Sequence, residues 1–171
     1  MSAYSDAEAV RRDLGLLPHP EGGFYRQTYR SSAVLGEAGL PSGYGGPRAT
    51  LTSIYFLLTR QSFSAFHRLR SDEIWHFYDG APIHLFLIGP AGVRTEILLG
   101  RDPARGLQLQ AVVPAGTWFG AYVEAEAEPD FALVGCDVAP GFDFLDFELA
   151  DRAQLIAEVP QHRAIIERLT R

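Results

Sequence analysis

Between residues 50 and 138 the chain runs through seven short segments rich in β-branched and aromatic residues, each closed by a turn signal. The segments are TLTSIYFLLT (50 to 59), SAFHRL (64 to 69), EIWHFYDG (73 to 80), IHLFLIGP (83 to 90), VRTEILLG (93 to 100), LQLQAVVP (107 to 114) and FALVGCDV (131 to 138). Ser71-Asp72, Asp79-Gly80, Pro90-Ala91-Gly92, Asp102-Pro103 and Pro129-Asp130 separate them. Many short strands with turns about every 8–12 residues mean a sandwich or a barrel.

The ends differ from the centre. Ser5 and Glu8 fit a capping box, with Val10 and Leu14 at helical spacing and Gly15 as a stop, so a short helix is predicted over 6 to 14. Asp151 with Gln154 is cap-like, Pro160 can start a helix, and Ile165, Ile166 and Leu169 recur helically, so C-terminal helices follow. Residues 32 to 48 read as a long Gly/Pro/Ala-rich loop and a candidate lid. No linker or repeat interrupts the 171 residues, and one domain, 1 to 171, is expected.

Charge narrows the partners. The net charge is −6 and no basic run exists, so nucleic acid is excluded as a partner. All 15 basic residues are arginine, which removes Schiff-base chemistry on lysine. No apolar run approaches the roughly 20 residues a membrane helix needs, and the N-terminus lacks the regions of a signal peptide. With Cys136 as its single cysteine the chain forms no internal disulfide, and a cytoplasmic location is expected.

The densest chemistry lies in HRLRSDEIWHFYDG, residues 67 to 80. Two strands joined by the turn at 70 to 72 aim His67 and Glu73 into one interior, with Trp75 and Phe77 on the face of Glu73 and with Ala65 and Leu69 on that of His67. His76 stands three residues from Glu73 and so faces away unless a bulge intervenes; His84 is another candidate ligand, whereas His19 and His162 read as loop and helix-surface residues. Strand GFYRQTYRS places Phe24, Arg26, Thr28 and Arg30 on one face and Tyr25, Gln27 and Tyr29 on the other. The paired Arg26 and Arg30 suit a carboxylate or phosphate. Glu21 in HPEGG is expected to contact its own loop, with Gly22 and Gly23 at positive φ.

The 67 to 80 stretch and VVPAGTWFG (112 to 120) together resemble the two motifs of the cupin superfamily. That resemblance puts metal ligands at His67, Leu69, Glu73 and Phe119, so two of the four are apolar here. A catalytic zinc site keeps three protein ligands. No tightly bound metal and no cofactor are therefore expected, although a weakly held divalent ion at His67, Glu73 and His76 is allowed. PHPEGGFYRQTYRS, SDEIWHFYDG, VVPAGTWF and VAPGFDFLDFELA, in this order, are similar to an RmlC-like cupin family described as domain of unknown function 985.

The resemblance implies an all-β fold: a double-stranded β-helix, a jelly-roll-like antiparallel barrel with a short N-terminal helix and C-terminal helices. It also implies a small-molecule ligand and a homodimer. It implies no known reaction, but the family is described as similar to the sugar-nucleotide epimerases, so metal-free epimerisation or isomerisation of a carbohydrate-like substrate is one expectation. His67 would be the general base, Glu73 would orient it, and Tyr25, Tyr29 or Tyr55 would be the acid. Arg26, Tyr29, Tyr55, Trp75, Phe77 and Phe119 would line the substrate site. A non-catalytic small-ligand sensor and a cupin oxygenase or isomerase with a degenerate metal site are the alternatives.

Overall fold

A computed structural model describes residues 4–124 and 126–171. Helix α1 (Ala7–Asp13) is followed by β1 (Leu17–Pro18), β2 (Phe24–Arg30), β3 (Val34–Leu35) and β4 (Arg48–Ala49). Then come β5 (Thr52–Thr59), β6 (Phe63–Leu69), β7 (Asp72–Gly80), β8 (Ile83–Ile88) and β9 (Arg94–Leu99). The last strands are β10 (Gln110–Val113), β11 (Trp118–Val123), β12 (Phe131–Ala139) and β13 (Phe147–Leu149), before α2 (Arg152–Glu158) and α3 (Arg163–Arg168).

Two antiparallel sheets face each other. One has the order β1-β2-β5-β12-β7-β10 and the other β13-β6-β11-β8-β9. Chain neighbours are often not sheet neighbours, as in β5 against β12 or β6 against β11, which is the jelly-roll arrangement expected from sequence. Between the sheets lies the main core, with Phe56, Trp75, Phe77, Leu85, Phe119 and Val134 among its members. Burying each large side chain of this kind contributes about 1.5–3 kcal/mol.

The helices cover two outer patches. Val10 of α1 and Leu16 pack on Leu57, Phe131 and Leu133 of the first sheet. Leu155, Ile156, Ile165, Ile166 and Leu169 pack on Phe66, Phe86, Ile88 and Trp118 of the second. The cap of α1 is Asp6, whose carboxylate accepts from Ala9 N–H at 2.8 Å, and not Ser5 as the capping-box pattern predicts. Asp151 caps α2 as predicted, accepting from Gln154 N–H at 2.8 Å. None of the described helices is long and apolar enough to cross a membrane.

Local features depart from the sequence reading. Gln27 pairs with Ile54 but Tyr29 pairs with Ser53, so Thr28 is an extra residue in β2. Phe119 pairs with His67 but Ala121 with Ser64, so β6 carries one extra residue between them. Segment 32 to 48 is not all loop: Val34 and Leu35 pair with Ala49 and Arg48. Its end is fastened by Arg48, whose guanidinium makes two bonds to the Asp146 carboxylate at 2.6 and 2.9 Å.

Candidate functional site

A cavity of about 250 Å³ opens at one end of the space between the sheets. Glu73 reaches it from β7, His67 and Leu69 from β6, and Cys136 and Val138 from β12. Tyr25, Gln27, Thr52, Ile54 and Phe56 come from β2 and β5. His19 and Glu21 belong to the loop after β1, and Phe142 and Phe144 to the segment after β12. Phe144 is 53% exposed and so marks the mouth, whereas Glu21 and Glu73 are each 6% exposed and lie deep.

The HPEGG loop enters the barrel because two glycines allow it. Gly22 and Gly23 have φ of 113° and 70°, as expected from sequence. A Cβ on Gly22 would collide with the Phe63 carbonyl, and one on Gly23 would stand 2.6 Å from the Leu57 carbonyl. Gly22 N–H donates to His19 C=O, and Ala65 N–H donates to Glu21 C=O at 2.9 Å. This close approach turns the Glu21 side chain inward, away from the backbone of its own loop. Its Oε1 accepts from Ser64 Oγ at 2.8 Å. Its Oε2 lies 3.1 Å from His67 Nε2 and 3.3 Å from His19 Nδ1. Ser64, and not Ala65, shares the inner face with His67 because of the extra residue in β6.

Hydrogen bonds assign the protons. The Ala65 carbonyl can only accept, so the 2.7 Å contact makes His67 Nδ1 the donor and leaves Nε2 with a lone pair. Glu21 must then supply the proton between Oε2 and Nε2. Burial lowers the proton affinity of His67 to about 3 and raises that of Glu21 well above its ordinary value, and the Glu73 charge raises Glu21 further. The pair is a neutral acid beside a neutral imidazole, since ionising both would strand two charges in a dry interior. His19 is likewise neutral, held down to about 4 by burial, and its Nδ1 accepts from Glu21 N–H at 3.3 Å.

Glu73 is set apart. Burial pushes it up to about 7, while the neighbouring Cys136 thiol and Trp75 indole pull the other way. Trp75 Nε1 meets no acceptor in hydrogen-bond geometry, so its pull is that of a nearby dipole. The same burial raises the Cys136 thiol far above its ordinary value, which makes it a proton holder and not a nucleophile.

Several sequence expectations change. Among the described residues the carboxylate within ion-pair reach of His67 is Glu21, so Glu73 does not orient it. Trp75 and Phe119 form the layer behind the cavity wall: Phe119 packs on the His67 ring at 4.0 Å, and Trp75 meets Phe56 edge-on at 5.7 Å. Phe77 is buried farther along β7 in the same core. Arg26 pairs with Tyr55 on the outer face of the first sheet, its guanidinium over that ring at 5.6 Å. The extra residue at Thr28 turns Tyr29 outward beside Ser53 and Arg30 inward beside Thr52, so Arg26 and Arg30 do not share a face. Of the three candidate tyrosines, Tyr25 lines the cavity.

The missed residues are His19 and Glu21. Their one legible signal was the positive-φ glycine pair beside them, which permits a close backbone approach without naming its target.

The residues do not fit a cupin metal. Leu69 and Phe119 offer no donor, and both nitrogens of His67 are engaged. His76 faces outward, bonded to Asp137 at 3.0 Å and Gln110 at 3.1 Å, and His84 is paired with Glu96 at 2.7 Å. Among the described residues no group of three His, Cys, Asp or Glu side chains is arranged to hold a metal ion.

Comparison with known proteins agrees with the fold. The model of the family described as Cupin superfamily (DUF985) matches residues 8–150. The protein YML079W of Saccharomyces cerevisiae is 31% identical over 149 residues, 83% of this chain and 74% of its own. A hypothetical protein from Leishmania major superposes with a TM-score of 0.88 at 38% identity, over 97% of this chain and 99% of that one. Protein SO0799 from Shewanella oneidensis gives 0.86 at 42% identity, over 98% and 99%. Oxalate decarboxylase from Bacillus subtilis, at 14% identity and TM-score 0.52 over 89% of this chain and 36% of that one, shares the fold alone.

Proposed function

This chain belongs to the cupin superfamily, in the family described as DUF985, and from that premise we propose that it binds a small molecule and moves protons on it without a metal. The reaction is of the epimerase or isomerase type on a carbohydrate-like ligand. One observation carries this reading: two buried carboxyl groups face one cavity in different settings, Glu21 against the lone pair of His67 Nε2 and Glu73 apart from that pair. Two carboxyl groups held in different environments can divide the acid and base roles. Glu73, near 7, takes a proton at neutral pH. Glu21, protonated and hydrogen-bonded to His67, gives one. His67 is then the partner whose lone pair holds the Glu21 proton in place until the ligand takes it.

The cavity also narrows the ligand. Among the described residues no basic side chain other than the two neutral histidines lines it, so a diphosphate finds no counter-charge. At about 250 Å³ it is smaller than the roughly 300–1,000 Å³ of most ligand pockets. The ligand is therefore uncharged and of monosaccharide size or less, and a sugar nucleotide is disfavoured.

The test is a thermal-shift screen of uncharged sugars, hydroxy ketones and sugar nucleotides, followed by incubation of the hits in D₂O. Carbon-bound hydrogen exchange that needs Glu73 supports the reading. Ligands that bind with no exchange would show a sensor instead.

A homodimer and a cytoplasmic location complete the proposal. Tyr29, Tyr78 and Val112, exposed on the outer face of the first sheet, are the surface a second copy would cover. A single buried free cysteine suits a reducing compartment. Light scattering that reports the mass of one chain would reject the dimer.

A further inference from the structure

We infer that His19 is a catalytic residue: its Nε2–H donates to the carbonyl oxygen of a small aldehyde or ketone whose α-hydrogen Glu73 removes. The inference rests on the proton-transfer reading and names its substrate class. It comes from the chemistry of one imidazole. Nδ1 of His19 accepts from Glu21 N–H, which leaves the ring proton on Nε2. Among the described residues no acceptor serves that N–H. The side chain is only 6% exposed, and the ring lines the cavity. Nε2 is not among the fully buried atoms, and the ring lines the cavity, so this N–H is open to the carbonyl oxygen of a ligand there. The ring is also held firmly, edge-on to Tyr25 at 4.5 Å and stacked on Phe144 at 6.4 Å.

A neutral imidazole suits this role. It polarises a carbonyl without adding a charge to a dry site, and it works well beside a carboxylate base, as the neutral histidine and glutamate base of triosephosphate isomerase illustrate. The step balances within the site. The α C–H bond breaks and its proton passes to a Glu73 carboxylate oxygen. The C–H electron pair becomes the C=C bond, and the carbonyl π pair moves onto oxygen, where His19 N–H meets it. Return of a proton to carbon, from Glu73 or from the Glu21 acid, restores the carbonyl.

The probes are dihydroxyacetone and 2-methylidenepropane-1,3-diol, which differ only in C=O against C=CH₂. Calorimetry on the full chain should show dihydroxyacetone bound at least about tenfold tighter, with the preference lost in His19→Phe and kept in part in His19→Gln, which retains an N–H donor. In D₂O the wild-type protein should speed exchange of the dihydroxyacetone methylene hydrogens over buffer, and His19→Phe should lose about a hundredfold or more of that. Equal affinity for the two probes, or no binding of either, overturns the assignment. Exchange that needs Glu73 but is untouched by His19→Phe removes His19 and leaves the proton-transfer reading standing. A His19-dependent preference without exchange leaves His19 as a binding donor only and overturns its catalytic role together with the proton-transfer reading. If the phenylalanine variant does not fold, ¹⁵N-histidine spectra of the wild type decide: the His19 Nε2 signal should move with dihydroxyacetone and stay still with the alkene, and no movement overturns the inference.

Discussion

Glu21 Oε2 stands 3.1 Å from His67 Nε2, and the proton between them belongs to the carboxyl because the Ala65 carbonyl already holds the other imidazole nitrogen as a donor. Glutamine can copy that arrangement, since its amide donates where the acid does. Glu21→Gln should therefore change stability by less than about 1 kcal/mol, whereas Glu21→Ala should cost about 2–3 kcal/mol by stranding Ser64 and His67. Urea denaturation of the two variants compares them, and equal losses would remove the neutral-acid assignment.

The buried groups also set a pH profile. Folded Glu73 keeps its proton to about 7 against an ordinary 4.5. Between these values the folded state holds more protons than the unfolded one, so stability falls as pH rises, by about 1.4 kcal/mol per unit, and levels off above. Raised Glu21 acts in the same direction. His19 and His67, lowered to about 4 and about 3 from 6.5, act oppositely and lose stability as pH falls through that range. The contributions offset between about pH 4.5 and 6.5, where the optimum should lie. Glu73→Gln should flatten the alkaline side, and denaturation midpoints from pH 4 to 9 will show whether it does.

Gly22→Ala should cost about 2–3 kcal/mol, because a Cβ at φ 113° meets the Phe63 carbonyl. The displaced loop carries Glu21 with it. The variant should lose ligand-induced thermal shift even where it still folds, and a retained shift would detach the loop from the site.

Arg48 and Asp146, both nearly fully buried, tie segment 32 to 48 to the turn that carries Phe144. Removing one partner leaves an unpaired buried charge, so Arg48→Ala should destabilise by about 3–5 kcal/mol. Arg68→Ala, which breaks a half-exposed pair with Glu148, should cost below about 1 kcal/mol. Paired denaturation curves test the contrast.

Purified protein should carry well below one equivalent of iron, nickel, manganese or zinc, since Leu69 and Phe119 supply no ligand where cupin metals need one. Elemental analysis near one equivalent per chain would reverse this.

Strand period, turn residues and the spacing of Glu73 from Trp75 determined the jelly roll, the turn at 70 to 72 and the inward direction of His67 and Glu73. These are local properties: each follows from side chains that alternate along one strand. His76, three residues from Glu73, was legible as outward for the same reason. Tertiary structure alone decided what His67 touches. The extra residues in β2 and β6 shift alternation by one, which reverses the faces of Tyr29, Arg30 and Ser64, and a one-residue slip moves every following side chain across the sheet. Glu21 and His19 reach the cavity because two glycines let their loop touch the backbone of distant strands, and sequence spacing carries no record of such an approach. The proton affinities are tertiary as well, because burial sets them and burial exists only when both sheets and the loop have closed together.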